Sequence, residues 1–212
     1  MKPFKGMTSK NTALIVIDVM NSCATVECET PEWNIHFTKI RAMVPRLVSF
    51  INDYKQATSN RVVYIKSTPW RKEFLADNVN QLYEQEQFSY YSKDPTGKDK
   101  ELYGVSPTQD DQIFEKNTCD ALTNPELVKE LKNKNIKYLI VTGVFTDGCV
   151  LASVLGGFAQ GFNVVVLKDL CETTDSPTRQ LIQEKLFEFT FPYMFARVIT
   201  SSELLASLIN HE

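Results

Sequence analysis

The chain has 212 residues, 43% of them hydrophobic and 23% charged, the make-up of a globular protein long enough for a single α/β domain spanning 1–212. A formal net charge of -3 with no basic cluster argues against nucleic acid as a main partner, and no apolar run is long enough to span a bilayer. The opening Lys2-Pro3-Phe4-Lys5-Gly6 leads into no signal-type stretch, so a cytoplasmic protein with no membrane attachment is expected.

Five cysteines (Cys23, Cys28, Cys119, Cys149, Cys171) are an odd number without a Cys-x-x-Cys pair, which favours reduced thiols over a disulfide framework. The only histidines are His36 and His211, so a zinc site or a Cys-His catalytic pair has almost no material. No metal and no cofactor is expected.

Residues 1–11 read as a loosely held, flexible tail. Thr12 to Val19 is the strongest signal for a buried strand, and it carries Asp18 at its carboxyl end, where open α/β sheets place ligand sites. A local cap or salt bridge is the alternative for Asp18. Ile40, Met43, Val44, Leu47, Val48, Ile51 and Tyr54 recur at helical spacing, with Pro45 expected to kink that helix or start its second half. Arg61 to Lys66 is the second strand, and Ser67-Thr68-Pro69-Trp70 leaves it in a loop.

The stretch 71–110 is long and turn-rich, with a short helix hinted at by Phe74, Leu75, Val79 and Leu82. Its length and its aromatics (Phe88, Tyr90, Tyr91, Tyr103) suit a lid, a binding loop or an oligomer contact. Asp111 to Lys116 is a third strand, and Asn124-Pro125-Glu126 starts a helix with a cap and a proline at its first position.

Tyr138 to Thr142 is again a buried strand; Gly143 ends it, Thr146 or Asp147 is placed to cap a helix, and Cys149 falls in the first helical turn. Amide dipoles there favour a thiolate, the layout of an activated nucleophile, although a lone cysteine after a strand is more often core filler. Val164 to Leu167 is a fifth strand ending near Asp169, 176–190 is helical, Arg197 to Ile199 is a sixth strand, and Ser201-Ser202-Glu203 opens a last helix. Strands alternating with helices predict a doubly wound, mainly parallel six-stranded sheet with helices on both faces, Rossmann-like but without its glycine-rich phosphate grip.

Asp18, Lys116 and Cys149 thus end three separate strands on one side of the sheet. The chemistry is coherent: Lys116 stabilises a thiolate and a carboxylate, Asp18 accepts the thiol proton and returns it to a leaving nitrogen, and Cys149 attacks a carbonyl.

The segments Leu14 to Asn21, Phe114-Glu115-Lys116 before Thr118 to Leu122, and Val141 to Val150, with Gly161 to Asp169 behind them, resemble the isochorismatase-like cysteine hydrolases, which include nicotinamidases and N-carbamoylsarcosine amidohydrolase. The resemblance implies an Asp18, Lys116, Cys149 triad acting through a thioester on a C–N bond of a small amide, carbamoyl or ureido compound. It implies a cis peptide between Val144 and Phe145 and an oxyanion hole from the backbone N–H groups of Phe145 and Cys149. It also implies a homo-oligomer, a dimer or larger. The alternatives are vinyl ether hydrolysis, which belongs to relatives lacking the cysteine, and a non-catalytic binding or scaffold member.

The histidines of metal-binding relatives are missing after the second strand, where Ser67 to Lys72 stands. Asn21 is expected to support Asp18, Trp70 to form a pocket wall, Phe145 to narrow the pocket or stack on a planar substrate, and Cys119 to line the pocket or pack in the core. Arg71 or Lys72 is read as a carboxylate ligand or as solvated charge, Cys23 and Cys171 as structural. Gly156-Gly157 suggests close packing, for which a subunit interface is one candidate place.

Overall fold

The computed structural model of the protein describes residues 5–85, 91–92, 94 and 96–209. The strands β1 (Thr12–Ile17), β2 (Val62–Ser67), β3 (Gln112–Lys116), β4 (Tyr138–Val144), β5 (Asn163–Glu172) and β6 (Ala196–Ile199) form one sheet in the order β3-β2-β1-β4-β5-β6. Every neighbouring pair is parallel, so the doubly wound sheet read from the sequence is the one the chain adopts. The winding reverses between β1 and β4. That reversal opens a crevice at their carboxyl ends.

The strands read clearly because both faces are covered. Leu14 and Val16 of β1 join a core with Ile40, Met43, Leu47 and Tyr54 of helix α1 (Thr38–Thr58) and Leu204 of helix α6 (Ser201–Ile209). Ala13, Ile15 and Ile17 face the other way, against Leu127 and Leu131 of α3 (Pro125–Asn133) and Val154 of α4 (Leu151–Ala159). Burying each such Leu, Ile or Val contributes about 1.5–3 kcal/mol. α1 runs unbroken through Pro45, against the expected division, and Pro45 sits on its solvent face.

Strand ends depart from the sequence reading for local reasons. β1 stops at Ile17 because Asp18 takes φ 50, a left-handed turn that aspartate tolerates. β4 continues through Gly143, whose φ is 112 and where a Cβ would lie 2.1 Å from the Ile17 carbonyl oxygen. Only glycine lets the two central strands approach so closely there. The helix expected over 176–190 is α5 (Pro177–Lys185) followed by a π-helical stretch, Leu186–Phe195. α6 is capped one residue earlier than expected: Glu203 N donates to Thr200 Oγ1 at 3.3 Å and Thr200 N to Glu203 Oε2 at 2.7 Å.

Residues 5–11 are not a loose tail. Met7 is buried, Tyr138 Oη donates to Lys5 O at 3.2 Å and Asn60 Nδ2 to Ser9 O at 2.7 Å; residues 1–4 lie outside the described residues. Within 71–110 the expected short helix is α2 (Asp77–Gln85). Further on, Asn21 N donates to Glu101 O at 2.9 Å and Tyr103 N to Val19 O at 2.9 Å, so residues 101–103 line the exit of β1. The aromatics Phe88 and Tyr90 lie outside the described residues. Gly156 and Gly157 allow close packing inside the chain: a Cβ at Gly156 would meet Asp120 Oδ2 at 2.1 Å, and one at Gly157 would meet Leu139 Cδ1 at 3.1 Å. Among the described residues no helix is long and apolar enough to cross a membrane.

Candidate active site

Asp18 leaves β1 with its carboxylate turned into the crevice, its N–H held by Ile65 O at 3.0 Å and only 2% of the residue exposed. Lys116, the last residue of β3, reaches across β2 to meet it. The Lys116 Nζ lies 2.7 Å from Asp18 Oδ2, 3.1 Å from Ser67 Oγ, 3.0 Å from Thr118 O and 3.4 Å from Cys149 Sγ. The structure therefore brings Asp18, Lys116 and Cys149 around one buried ammonium.

Burial opposes the charge on Lys116, but the Asp18 carboxylate and the Cys149 sulfur outweigh it and hold the ammonium above the usual lysine range. Ser67, which the sequence reading left in a loop, ends β2 and donates to Asp18 Oδ1 at 3.1 Å. Asn21, expected to make that bond, instead donates to Lys98 O at 2.9 Å. Its backbone begins a 3-10 turn that faces the 98–100 turn, which carries its amide away from the carboxylate.

Cys149 sits in a turn, Thr146–Val150, that is kinked at Gly148 (φ -130, ψ -108) and leads into α4. The Val144–Phe145 peptide before it is cis, and Phe145 O accepts from Gly148 N at 2.9 Å and from Val150 N at 3.1 Å. Neither expected cap is one. Thr146 Oγ1 donates to Gln183 Oε1 at 2.5 Å, and Asp147 is gripped by Arg179 through Nε at 2.6 Å and Nη2 at 2.7 Å and by Thr173 Oγ1 at 2.5 Å. α5 thus clamps the turn that carries the cysteine, a tertiary contact with no local sequence signal.

The preference for a thiolate at Cys149 is overruled by its surroundings. Its hydrogen-bonding partner Cys119, then burial, then the Asp18 carboxylate push the Cys149 thiol well above the ordinary value, with Lys116 pulling the other way. Cys119 moves in the opposite direction, down to about 6, chiefly through the same hydrogen bond. Cys149 therefore rests as a thiol, and a base must take its proton during attack.

Of the remaining candidates, Trp70 stands beside the site with its ring 5.8 Å from Lys116 Nζ and its Nε1 donating to Tyr83 Oη at 2.9 Å. Phe145 stacks on Phe37 at 5.9 Å and lies under the Arg179 guanidinium at 4.7 Å. Arg71 donates to Asp94 O at 2.7 Å and Lys72 pairs with Glu84. Cys171 is buried and donates to Val141 O at 3.6 Å.

The chain matches the model of the isochorismatase domain over residues 12–203. Two proteins of Dictyostelium discoideum, isochorismatase family proteins 1A and 1B, are each 32% identical over 77 residues, so the match spans 35% of this chain and 37% of each relative. The fold is similar to that of a cysteine hydrolase from Pseudomonas syringae pv. phaseolicola 1448A, with a TM-score of 0.77, 19% identity and coverage of 99% of this chain and 98% of that one. N-carbamoylsarcosine amidase from Thermoplasma acidophilum superimposes with a TM-score of 0.62 at 18% identity, over 92% of this chain and 97% of that one. A match that runs from the first strand to the last helix places this chain in the isochorismatase family.

Proposed function

We propose that the protein is a metal-independent cysteine hydrolase that cleaves a C–N bond of a small amide or carbamoyl compound through a thioester on Cys149. The observation that carries this reading is the position of Lys116 Nζ, 2.7 Å from a carboxylate and 3.4 Å from a thiol sulfur in a site closed to solvent on the lysine side. Asp18 takes the Cys149 proton as the sulfur attacks the carbonyl carbon. The oxyanion is received by the N–H groups of Phe145 and Cys149. Asp18 then returns the proton to the departing nitrogen, and the C–N bond breaks to give thioester and amine. Water attacks the thioester, delivering a proton back to the sulfur and releasing the acid.

Three features support the reading. Lys116 fixes the Asp18 carboxylate and compensates charge that develops on sulfur. A nucleophilic thiol beside a carboxylate has no use in vinyl ether hydrolysis. The amidase among the similar folds performs its reaction on the same architecture. Metal independence rests on the ligand set: His36 Nδ1 is 3.0 Å from Glu29 Oε2, and among the described residues no group of three His, Cys, Asp or Glu side chains could hold a metal. A reducing, cytoplasmic setting fits the five free cysteines.

The protein is also proposed to pair with a second copy of itself. Leu181 and Ile182 of α5, Phe158 of α4, and Phe189, Tyr193 and Met194 of the π-helical stretch are 43–75% exposed. At about 200 Å² for each fully exposed side chain they present roughly 700 Å² of apolar surface, close to the ~800 Å² per partner of a stable interface.

The test of the reaction is intact-protein mass spectrometry during turnover of a panel of small amides, ureido acids and carbamoyl compounds, with Cys149→Ala alongside. An acyl adduct on the wild type alone, with ammonia or amine released, is expected. Equal release by the variant would remove the thioester mechanism, and no release with any compound would favour a binding role.

A further inference from the structure

The turn that carries Cys149 begins on a residue whose side chain has nothing to cap it with, Phe145, and is kinked at Gly148. Its orientation is set from outside. Thr146 Oγ1 donates to Gln183 Oε1 at 2.5 Å, and the Asp147 carboxylate accepts from Arg179 Nε at 2.6 Å, Arg179 Nη2 at 2.7 Å and Thr173 Oγ1 at 2.5 Å. The side chain of Asp147 is 8% exposed, so its charge depends on these donors.

Arg179 does more there than neutralise a carboxylate. Its fork holds both oxygens of Asp147 while its guanidinium covers the Phe145 ring at 4.7 Å, so one rigid planar group touches the first residue and the middle of the same turn. The helix it stands on is fixed in its own right. Glu172 Oε1, at the end of β5, accepts from Gln183 Nε2 at 2.8 Å and from Gln180 Nε2 at 3.0 Å, and Lys39 Nζ of α1 donates to Gln180 Oε1 at 2.7 Å. Phe37, the residue before α1, stacks on Phe145 at 5.9 Å. Strand β5 and helices α1 and α5 thus hold the Cys149 turn through Arg179 and its neighbours.

We infer that Arg179 is a positioning residue of the proposed hydrolase: by gripping Asp147 and covering Phe145 it keeps the N–H groups of Phe145 and Cys149 aimed at one oxyanion. Those two groups stand at either side of Thr146, Asp147 and Gly148, and they converge only while that turn keeps its shape. Small departures are costly, since a misplacement of about 1 Å slows a reaction on the order of a hundredfold and loss of one oxyanion donor about 10²–10³-fold. Lysine in place of Arg179 keeps the charge but meets Asp147 as a point, without the fork that fixes its plane. The inference rests on the hydrolase reading, to which the oxyanion belongs.

The test compares two reactions of Cys149 in the full chain, each followed by peptide mass spectrometry. p-Nitrophenyl acetate acylates the sulfur through a tetrahedral oxyanion, whereas iodoacetamide alkylates it by a displacement that forms none. Both consume the same thiolate, so a change in its amount cancels in the ratio of the two rates. In Arg179→Gln the ratio of acylation to alkylation is expected to fall about ten- to a hundredfold, with Arg179→Lys between that variant and the wild type. A role in stability alone would lower the melting temperature and leave the ratio at its wild-type value, and that result in protein with unchanged circular dichroism would overturn the inference. Should Arg179→Gln not fold, the ratio in Arg179→Lys decides in the same way. A wild type that is alkylated but never acylated would remove the hydrolase reading and this inference with it, whereas a wild type acylated no faster than Arg179→Gln, at equal alkylation, removes the inference alone.

Discussion

Lys116 Nζ and Asp18 Oδ2 lie 2.7 Å apart with side-chain exposures of 0% and 3%, an ion pair sealed beneath the crevice. Each charge is tolerated there because the other is present. Lys116→Met leaves a buried carboxylate and Asp18→Asn leaves a buried ammonium, and each is expected to cost about 3–5 kcal/mol in urea unfolding. The double variant restores part of that loss. Additive losses in the double variant would show that the two charges do not depend on each other.

The hydrogen bond that the Cys149 S–H donates to Cys119 is the largest influence raising Cys149, ahead of burial and the Asp18 carboxylate. Cys119→Ala removes it, so the Cys149 pKa falls toward its ordinary value and its thiolate fraction at a given pH below that pKa rises. Alkylation of Cys149 by iodoacetamide at pH 7 is then expected to accelerate by about three- to fourfold for each unit of pKa lost, the larger thiolate fraction being partly offset by a less nucleophilic thiolate. Peptide mass spectrometry over a time course reads it. Unchanged or slower labelling would mean that the two thiols do not share a proton.

The sequence exposes these strands because their both-face burial demands uninterrupted apolar, largely β-branched runs, as in Leu14 to Ile17 and Val164 to Leu167. The convergence of Asp18, Lys116 and Cys149 follows from the parallel direction of β1, β3 and β4 alone. What stayed hidden depends on contacts between distant residues. Ser67 beside Asp18, Arg179 on Asp147 and Asp120 in the gap at Gly156 are each set by how elements dock, and no periodicity encodes that. One miss was legible: Thr200-Ser201-Ser202-Glu203 is a full capping box, read one residue late.

The two adjacent glycines of α4 are expected to respond differently to alanine. Helix propensity favours either change by about 1 kcal/mol. At Gly156 the new methyl would collide with the Asp120 carboxylate at 2.1–2.5 Å, while at Gly157 it would meet only the side-chain tips of Leu139 and Val164 at 3.1 and 3.3 Å. Gly156→Ala should therefore lose about 1–3 kcal/mol and Gly157→Ala stay within about 1 kcal/mol of the wild type. Adding Asp120→Ala to Gly156→Ala should recover stability in thermal melts if the carboxylate is the obstacle.

The apolar face of α5 and the π-helical stretch predicts a solution dimer or larger assembly, read by light scattering coupled to size exclusion. Phe189 and Tyr193, 5.0 Å apart and 61% and 75% exposed, are its most prominent pair. Phe189→Lys with Tyr193→Glu should dissociate the assembly and leave the circular dichroism unchanged, because neither ring supports the monomer core. A wild type that is monomeric at tens of micromolar concentration would remove this proposal.

Glu29 joins three groups near the entrance to α1, accepting from Phe37 N at 3.0 Å and Arg41 Nη1 at 2.7 Å and lying 3.0 Å from His36 Nδ1. Burial works against its charge, but these hydrogen bonds and Arg41 prevail and bring its pKa from 4.5 down to about 2. A carboxylate depressed in the folded state stabilises it above the unfolded pKa, and the contribution disappears as pH falls through the folded one. Glu29→Gln should therefore cost about 1–2 kcal/mol at pH 7, after allowance for solvent screening. The gap between variant and wild type should hold down to about pH 5 and narrow steadily toward pH 2. Phe37, whose N–H Glu29 holds, stacks on Phe145, so the substitution also loosens the wall of the candidate site. Thermal melts across that range check the linkage, and a gap that stays constant below pH 4 would show that Glu29 carries no depressed pKa.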